Sequence, residues 1–173
     1  MIVDIQEKLL PPIFEGERLV RNARLFLRLA GILRLPVLAT TQYARGLGPT
    51  VPAINDLLPG GTEIYDKQDF SCFGSQAFCA ATAASAHREQ LVILGMETHI
   101  CVLQTALAAL ERGYAVHVIA DAVGSRSEFN WRIGLERLRD AGAVISTTEM
   151  AIYELLKGSG TQAFKQMLPW LKQ

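Results

Sequence analysis

The sequence predicts an open α/β fold of three layers, with a mostly parallel sheet of about six strands and helices on both faces. Short apolar runs rich in β-branched residues alternate along the chain with amphipathic stretches, an order typical of a parallel sheet covered on both sides. The 173 residues are enough to bury one sizeable core, and they contain no repeat, low-complexity tract or linker. We therefore expect one domain over residues 1–173.

The elements follow one another in a regular order. The first apolar run begins almost at the first residue, and Pro36 introduces a second run that favours a strand. Residues 42–61 are rich in glycine and proline, which predicts a long loop with one helical turn at residues 51–58. The expected strands are residues 1–5, 36–41, 63–66, 91–94, 115–120 and 144–146, and the expected helices are residues 18–35, 75–87, 98–112, 128–141, 150–156 and 161–171.

Composition narrows the class of ligand and the location. The chain has 17 basic and 17 acidic residues, so no net field attracts nucleic acid or an anionic membrane, and a small-molecule ligand is expected. Cys72, Cys79 and Cys101 lack the spacing of a disulfide framework or a zinc site. No apolar run approaches the roughly 20 residues that span a bilayer, and the first residues lack the pattern of a signal peptide. We expect a cytoplasmic protein.

Residues 91–102 contain the strongest candidate for a nucleophile. A buried strand breaks at Gly95, Thr98 takes a capping position, and apolar residues at helical spacing follow. Cys101 is thereby expected in the first turn of a helix, where the helix dipole favours the thiolate and lowers the pKa of the cysteine. The alternative is that Cys101 is a small core residue, since free cysteines are often buried.

Two further residues follow predicted strands. Ligands of open α/β sheets bind outside the carboxyl ends of the strands, so these positions carry functional weight. Asp4 interrupts an apolar strand, where a carboxylate is costly to bury unpartnered, and it is a candidate general base; alternatively, it caps a turn near Gln6. Lys67 follows the third strand and is placed to hold a thiolate and a carboxylate together, although most lysines are simply solvated.

Four motifs occur along the chain: Asp4-Ile5-Gln6, Lys67 followed by Phe70-Ser71-Cys72-Phe73, Gly95-Met96-Glu97-Thr98-His99-Ile100-Cys101-Val102, and residues 113–122. In their order and spacing they resemble the isochorismatase-like cysteine hydrolases, a family that includes nicotinamidases and N-carbamoylsarcosine amidase. The resemblance runs from Met1 to about Leu156, and residues 42–52 and 125–127 are most similar to the isochorismatase-domain-containing branch. It implies a Rossmann-like hydrolase fold and a homo-oligomer, dimeric or larger.

The resemblance also implies a catalytic triad of Cys101, Asp4 and Lys67. In such a triad Cys101 attacks a small amide-like carbonyl, Asp4 takes the thiol proton, and Lys67 holds both charges in place. The family carries a cis peptide bond before its cysteine, which here is Met96–Glu97. The backbone amides of Glu97 and Cys101 would then form the oxyanion hole.

One departure from the family concerns the metal. Nicotinamidases bind a metal through an Asp-x-His pair after the second strand, whereas this chain has Thr41-Gln42-Tyr43 there and no histidine before His87. We therefore expect no metal, no other cofactor, and a substrate other than nicotinamide. Because Cys101 is present, hydrolysis of a C–N bond is favoured over ether hydrolysis of the isochorismate type.

The remaining candidates are substrate contacts. Gln42, Tyr43, Phe70 and Phe73 are expected to line the pocket, although aromatic residues beside strand ends are often plain core. His99 adjoins the cysteine and is either a substrate contact or a residue of the helix start. The sequence thus predicts a metal-independent cysteine hydrolase of small amide, carbamoyl or related C–N substrates. The alternative is a non-catalytic oligomeric scaffold or protein-binding member with the same fold.

Overall fold

The computed structural model describes residues 1–85 and 87–172, and its centre is a six-stranded sheet in which all paired strands are parallel. The strand order is β3-β2-β1-β4-β5-β6. This architecture confirms the predicted fold class. The strands are β1 (Ile2–Val3), β2 (Ala39–Gln42), β3 (Ile64–Lys67), β4 (Gln90–Met96), β5 (Ala115–Gly124) and β6 (Val144–Ser146).

Helices cover both faces of the sheet and enclose two hydrophobic clusters. Helices α1, α7 and α8 bury apolar side chains in one cluster, and α4, α5 and α6 bury theirs in the other. In α1, for example, the buried side chains recur at helical spacing and form one apolar stripe. The helices are α1 (Gly16–Leu33), α2 (Ala44–Leu47), α3 (Pro52–Asn55), α4 (Gln76–Ala84), α5 (Leu103–Glu111), α6 (Glu128–Asp140), α7 (Thr148–Leu156) and α8 (Gln162–Leu171). Among the described residues, no helix is both long enough and apolar enough to cross a membrane.

The strand order reverses between β1 and β4, and this point positions the candidate site. The chain runs outward from β1 through β2 to β3 and then returns to β4 on the other side of β1. In open α/β sheets such a switch point is where ligands bind, at the carboxyl ends of the strands. Asp4 follows β1 there, and residues 97–101 follow β4.

A glycine allows these two strands to lie close together. Gly95 pairs with Val3 and has a φ of 125°, in the region that favours glycine. A Cβ atom at position 95 would lie 2.0 Å from the carbonyl oxygen of Val3, which is backbone and has no room to move aside. The close approach of β1 and β4 therefore depends on Gly95.

Several element bounds differ from the sequence prediction. β1 has two residues instead of five, because Asp4 leaves the strand with a φ of 51°. β5 is longer than predicted, and its register shifts so that Ile93 pairs with Val118 while Gly95 pairs with Val123. The long loop contains two short helices, α2 and α3, where one turn was predicted. A 3-10 turn at Cys72–Gly74 was also not predicted.

Candidate active site

Asp4 is fully buried at the end of β1, and its carboxylate binds side chains of two neighbouring strands. The Nζ atom of Lys67 donates to Oδ2 at 2.7 Å, and the Oγ1 atom of Thr40 donates to Oδ1 at 2.8 Å. A carboxylate taken out of water requires such donors. Both oxygens of Asp4 are thus directed toward β2 and β3 rather than toward a following turn.

Lys67 ends β3, and its side chain is fully buried. The ammonium donates to Asp4 Oδ2 at 2.7 Å, to Gln42 Oε1 at 2.7 Å and to the carbonyl of Asp69 at 3.3 Å. Its three protons therefore meet three acceptors. Burial alone lowers the pKa of Lys67, but the Asp4 carboxylate and then Cys101 outweigh it, so that the pKa lies above its ordinary value. Lys67 is a buried cation and not a solvated surface lysine.

Cys101 lies in a π-helical turn, Thr98–Val102, between β4 and α5, and is only 6% exposed. Burial and then the Asp4 carboxylate raise the pKa of Cys101 to about 12, while Lys67 acts in the opposite direction. The expectation of a lowered pKa is therefore wrong, because burial and a nearby negative charge outweigh the helix start. Thr98 does not cap this turn either, since its Oγ1 is buried without a hydrogen-bond partner in the part of the chain that the structure describes.

Asp4, Lys67 and Cys101 are thus coupled electrostatically, although they come from three separate segments. The arrangement holds a protonated thiol beside a carboxylate that can accept its proton and an ammonium that stabilises the resulting charge. A nucleophile, a base and an orienting group that act on one another are the elements of covalent catalysis.

The peptide bond between Met96 and Glu97 is cis, as the sequence resemblance implied. The carbonyl of Glu97 accepts hydrogen bonds from the amides of Ile100 and Val102, so Glu97 and Cys101 share one compact turn. The side chain of Glu97 points elsewhere, because its Oε2 accepts from the backbone amide and the Nε atom of Arg126 at 2.9 and 3.1 Å.

The residues expected to contact substrate occupy different environments. Gln42 lies beside Lys67, Tyr43 follows it and is 46% exposed, and Phe70 is 52% exposed. Phe73 is buried and packs edge-on against Phe78 with ring centroids 5.3 Å apart. The Nδ1 atom of His99 lies 2.9 Å from Ser125 Oγ. All five remain predicted substrate contacts.

Sequence reasoning missed Thr40, and it singled out Gln6 by position without its partner. Thr40 binds Asp4, and Gln6 binds the backbone of Gln42 through two hydrogen bonds. Strand alternation contained a signal for Thr40, because residues 40 and 42 lie on the same face of β2. For Gln6 the signal was its place in the Asp4-Ile5-Gln6 motif, but its partner is not evident before β2 is placed.

A cavity of about 410 Å³ lies at the other end of the sheet, near the amino ends of the strands. Its lining includes Phe26, Leu38, Leu91 and Tyr114, and it contains none of Asp4, Lys67 and Cys101. The candidate site at the carboxyl ends of the strands is therefore defined by its side-chain contacts and not by this cavity.

A family model and similar proteins from other organisms share the description isochorismatase. The family model described as Isochorismatase domain matches residues 1–150. The secreted isochorismatase effector Isc1 of Phytophthora sojae is 34% identical over 174 residues, which cover 99% of this chain and 83% of the relative. Isochorismatase domain-containing protein 2 of Danio rerio is 35% identical over 167 residues, which cover 96% of this chain and 83% of the relative. Since one relative is named as secreted, the cytoplasmic location stays a prediction.

Solved structures agree over nearly the whole chain. MAR1 ribonuclease from Caenorhabditis elegans has a TM-score of 0.93 at 34% identity and covers 99% of this chain and 88% of its own. YcaC from Pseudomonas aeruginosa, solved with hexane-2,5-diol and covalent acrylamide, has a TM-score of 0.90 at 27% identity, with 98% and 86% covered. The YcaC gene product from Escherichia coli, described as an octameric hydrolase of unknown specificity, has a TM-score of 0.89 at 27% identity, with 99% and 88% covered. The hydrolase fold and the sequence matches together place this chain in the isochorismatase family.

Proposed function

We propose that the protein is a metal-independent cysteine hydrolase that cleaves a C–N bond of small amide, carbamoyl or related substrates. The observation that carries this proposal is the buried ion pair of Asp4 and Lys67, whose charges both act on the Cys101 thiol. Burying an ion pair is often no more stabilising than burying apolar residues of similar size. Its presence at the switch point of the sheet therefore favours a catalytic use.

In the first half of the proposed reaction, Cys101 is the nucleophile and Asp4 the base. The thiol proton passes to Asp4 as the Sγ atom bonds to the carbonyl carbon, because the pKa of about 12 leaves little free thiolate beforehand. The carbonyl oxygen takes up negative charge, and we assign the backbone N–H groups of Glu97 and Cys101 as its donors. Asp4 then protonates the leaving nitrogen, and the C–N bond breaks.

The second half releases the acyl or carbamoyl group from the sulfur. A water molecule gives a proton to Asp4 and bonds to the carbonyl carbon, the C–S bond breaks, and Cys101 regains its proton from Asp4. Lys67 stays protonated throughout, because its three N–H groups are engaged and its pKa is raised. The reaction needs only substrate and water.

The second candidate is a non-catalytic oligomeric scaffold or protein-binding member of the fold. The octameric state of the Escherichia coli neighbour supports a homo-oligomer for this chain as well. Helix α6 presents exposed apolar residues, Phe129 and Ile133, that are suited to a subunit contact. A scaffold has no use for a reactive Cys101, and this separates the two candidates.

The name of the Caenorhabditis elegans neighbour suggests RNA as a third kind of substrate. We favour a small molecule for this chain, because RNA binding depends on basic surface and the sequence has no net charge. Single-stranded RNA therefore belongs in the activity screen as a comparison for amides and ureas.

The first test is labelling with acrylamide, the reagent bound covalently in the Pseudomonas aeruginosa neighbour. We expect acrylamide to label Cys101 faster than Cys72 and Cys79, as read by intact mass and peptide mapping. Lys67→Met should slow the labelling of Cys101 by about tenfold, since a charge that lowers its pKa is lost. Lys8→Met is the matched control, because Lys8 is exposed and its ammonium donates, among the described residues, to the carbonyl of Gly46 alone.

The second test of the proposed function measures hydrolysis of candidate substrates. Ammonia release from a panel of primary amides and ureas should be found for the native protein and lost in Cys101→Ser. One outcome would reject the hydrolase and favour the scaffold. In that outcome Cys101 is labelled no faster than Cys79, and neither Lys67→Met nor Asp4→Asn changes its rate of labelling.

A further inference from the structure

We propose that β2 supplies two positioning residues for this reaction, Thr40 for the base and Gln42 for the cation, and that Gln6 locks Gln42 in place. This inference rests on the proposed function, since it concerns how Asp4 and Lys67 are held for Cys101. It assigns Gln42 a role through Lys67, in place of direct contact with substrate.

Strand geometry brings Thr40 and Gln42 to the same side. Successive side chains of a strand point to opposite faces, so residues 40 and 42 share one face while Thr41 lies on the other. The hydrogen bonds follow this alternation, because Thr40 and Gln42 bind Asp4 and Lys67, whereas Thr41 Oγ1 donates to Asp66 Oδ1 at 3.0 Å. Strand β2 lies between β1 and β3, so it reaches both members of the ion pair.

Thr40 has only one hydroxyl proton, and it donates this proton in its hydrogen bond to the Asp4 carboxylate. The Oγ1 atom also lies 3.6 Å from the Sγ atom of Cys72, which is buried. Since the proton of Thr40 is used on Asp4, the thiol of Cys72 is the donor in this second contact. The two contacts form a chain of donors, from Cys72 through Thr40 to Oδ1 of Asp4, that fixes one oxygen of the carboxylate.

The amide of Gln42 is held in one orientation. Its Oε1 accepts from Lys67 at 2.7 Å, and its Nε2 donates to the carbonyl of Gln68 at 2.7 Å. An ammonium only donates and a carbonyl only accepts, so a flipped amide would lose both bonds. Gln42 therefore presents its amide oxygen, an acceptor, to Lys67 and not to Asp4.

Gln6 fixes the backbone of Gln42 and the loop that follows. The fully buried side chain of Gln6 accepts from the Gln42 amide at 2.7 Å and donates to the Gln42 carbonyl at 3.1 Å and to the Gly48 carbonyl at 2.7 Å. Asp4 and Gln6 of the Asp4-Ile5-Gln6 motif thus reach Lys67 by two routes. One route is direct, and the other passes through Gln42.

The test is the pH dependence of acrylamide labelling at Cys101 in variants of β2. Thr40→Val removes a donor to the Asp4 carboxylate, and Gln42→Leu removes the acceptor that holds the Lys67 ammonium in position. In each variant the negative charge of Asp4 and Cys101 is therefore less stabilised. We expect the labelling profile to move to higher pH by about one unit in each variant, or about tenfold in rate at a fixed pH. Thr40→Ser, which keeps the hydroxyl, should restore the native profile.

Thr41→Val is the matched control, because it removes a threonine hydroxyl from the same strand on the opposite face. It should unfold cooperatively in urea, as Thr40→Val should, and leave the labelling profile unchanged. If Lys67→Met moves the profile while Thr40→Val and Gln42→Leu do not, the positioning role is rejected and the proposed triad stands. If Lys67→Met does not move the profile either, the proposed function itself fails.

Discussion

The ammonium of Lys67 and the carboxylate of Asp4 form a fully buried ion pair at 2.7 Å, although the two residues lie 63 positions apart in the sequence. They come from β3 and from the end of β1, and the strand between them, β2, holds each partner through a side chain of its own. Removing either charge leaves the other one buried without its counterion.

The first prediction concerns stability. Lys67→Met should lower the free energy of unfolding by about 3–5 kcal/mol, because an unpaired carboxylate remains in the interior. Urea denaturation followed by circular dichroism measures this loss. Lys8→Met should stay close to the native value, and the double variant Asp4→Asn with Lys67→Met should lose less than the sum of the single changes. A native-like stability of Lys67→Met would contradict the importance of the pair.

The second prediction separates the two effects of Asp4 on Cys101. The Asp4 carboxylate raises the pKa of Cys101, so Asp4→Asn should move that pKa below about 12, whereas Lys67→Met should raise it further. Labelling at alkaline pH should therefore be faster in Asp4→Asn, while any hydrolysis at neutral pH is lost with the base. The pH dependence of Cys101 alkylation, read by mass spectrometry, measures both shifts. Shifts of the same sign would show that the thiol does not sense the two charges.

The third prediction is a loss of stability at alkaline pH. The folded protein holds the Cys101 proton with a pKa of about 12 against an ordinary value of 9.0, so it binds this proton more tightly than the unfolded chain does. The contribution is complete below pH 9.0 and is lost as the pH rises toward 12, at about 1.4 kcal/mol per pH unit. The raised pKa values of Cys72 and Lys67 act in the same direction.

Urea unfolding under reducing conditions, from about pH 8 to about pH 11, measures this slope. Cys101→Ala should flatten it, because the shifted group is gone. Cys79→Ala, a change to a cysteine of α4 that is outside the ion-pair network, should keep the native slope. Equal slopes in the native protein and Cys101→Ala would mean that the thiol does not titrate as described.

The predicted fold and the observed fold agree because hydrophobic periodicity is a local property of the sequence. The runs that became β2 to β6 and the helices α4, α5 and α6 were each evident from a few residues, and parallel order followed from their alternation. The early end of β1 was not evident, because Asp4 leaves the strand in order to meet Thr40 and Lys67, which lie far along the chain.

The residues of the candidate site could be named from the sequence, but the effect of their charges on one another could not. Asp4, Lys67 and Cys101 were recognised from the positions after strands and from the motifs. The pKa of Cys101 was predicted in the wrong direction, because the helix start is visible in the sequence while burial and the distance to Asp4 are not. The bond from Gln42 to Lys67 depends in the same way on the pairing of β2 with β3, which sets residue 42 opposite residue 67.

The fourth prediction tests the contacts of Gln6. Gln6→Glu replaces an amide that donates to two carbonyls, those of Gln42 and Gly48, by an oxygen that repels them. We expect a loss of at least about 2 kcal/mol in the free energy of unfolding, since the buried carboxylate keeps one donor, the Gln42 amide, and faces two carbonyl oxygens that lose their donor. Gln90→Glu, at an exposed position, is the control and should change stability little. Equal stabilities of the two variants would show that Gln6 does not hold the loop.

The fifth prediction concerns the approach of β1 to β4, which sets the distance between Asp4 and the turn that carries Cys101. In Gly95→Ala the new methyl group would lie 2.0 Å from the Val3 oxygen and 2.7 Å from the Val3 nitrogen, at a φ of 125°. Relief requires the two strands to separate, so we expect a loss on the order of 4 kcal/mol, measured by urea unfolding. Gly31→Ala is the matched control, because no atom of the described residues beyond its chain neighbours and its own helix backbone lies within 4 Å of the new methyl group, and alanine is the better helix former. If Gly95→Ala were as stable as Gly31→Ala, the strands would have room to spare, and the coupling of Asp4 to Cys101 would not depend on their contact.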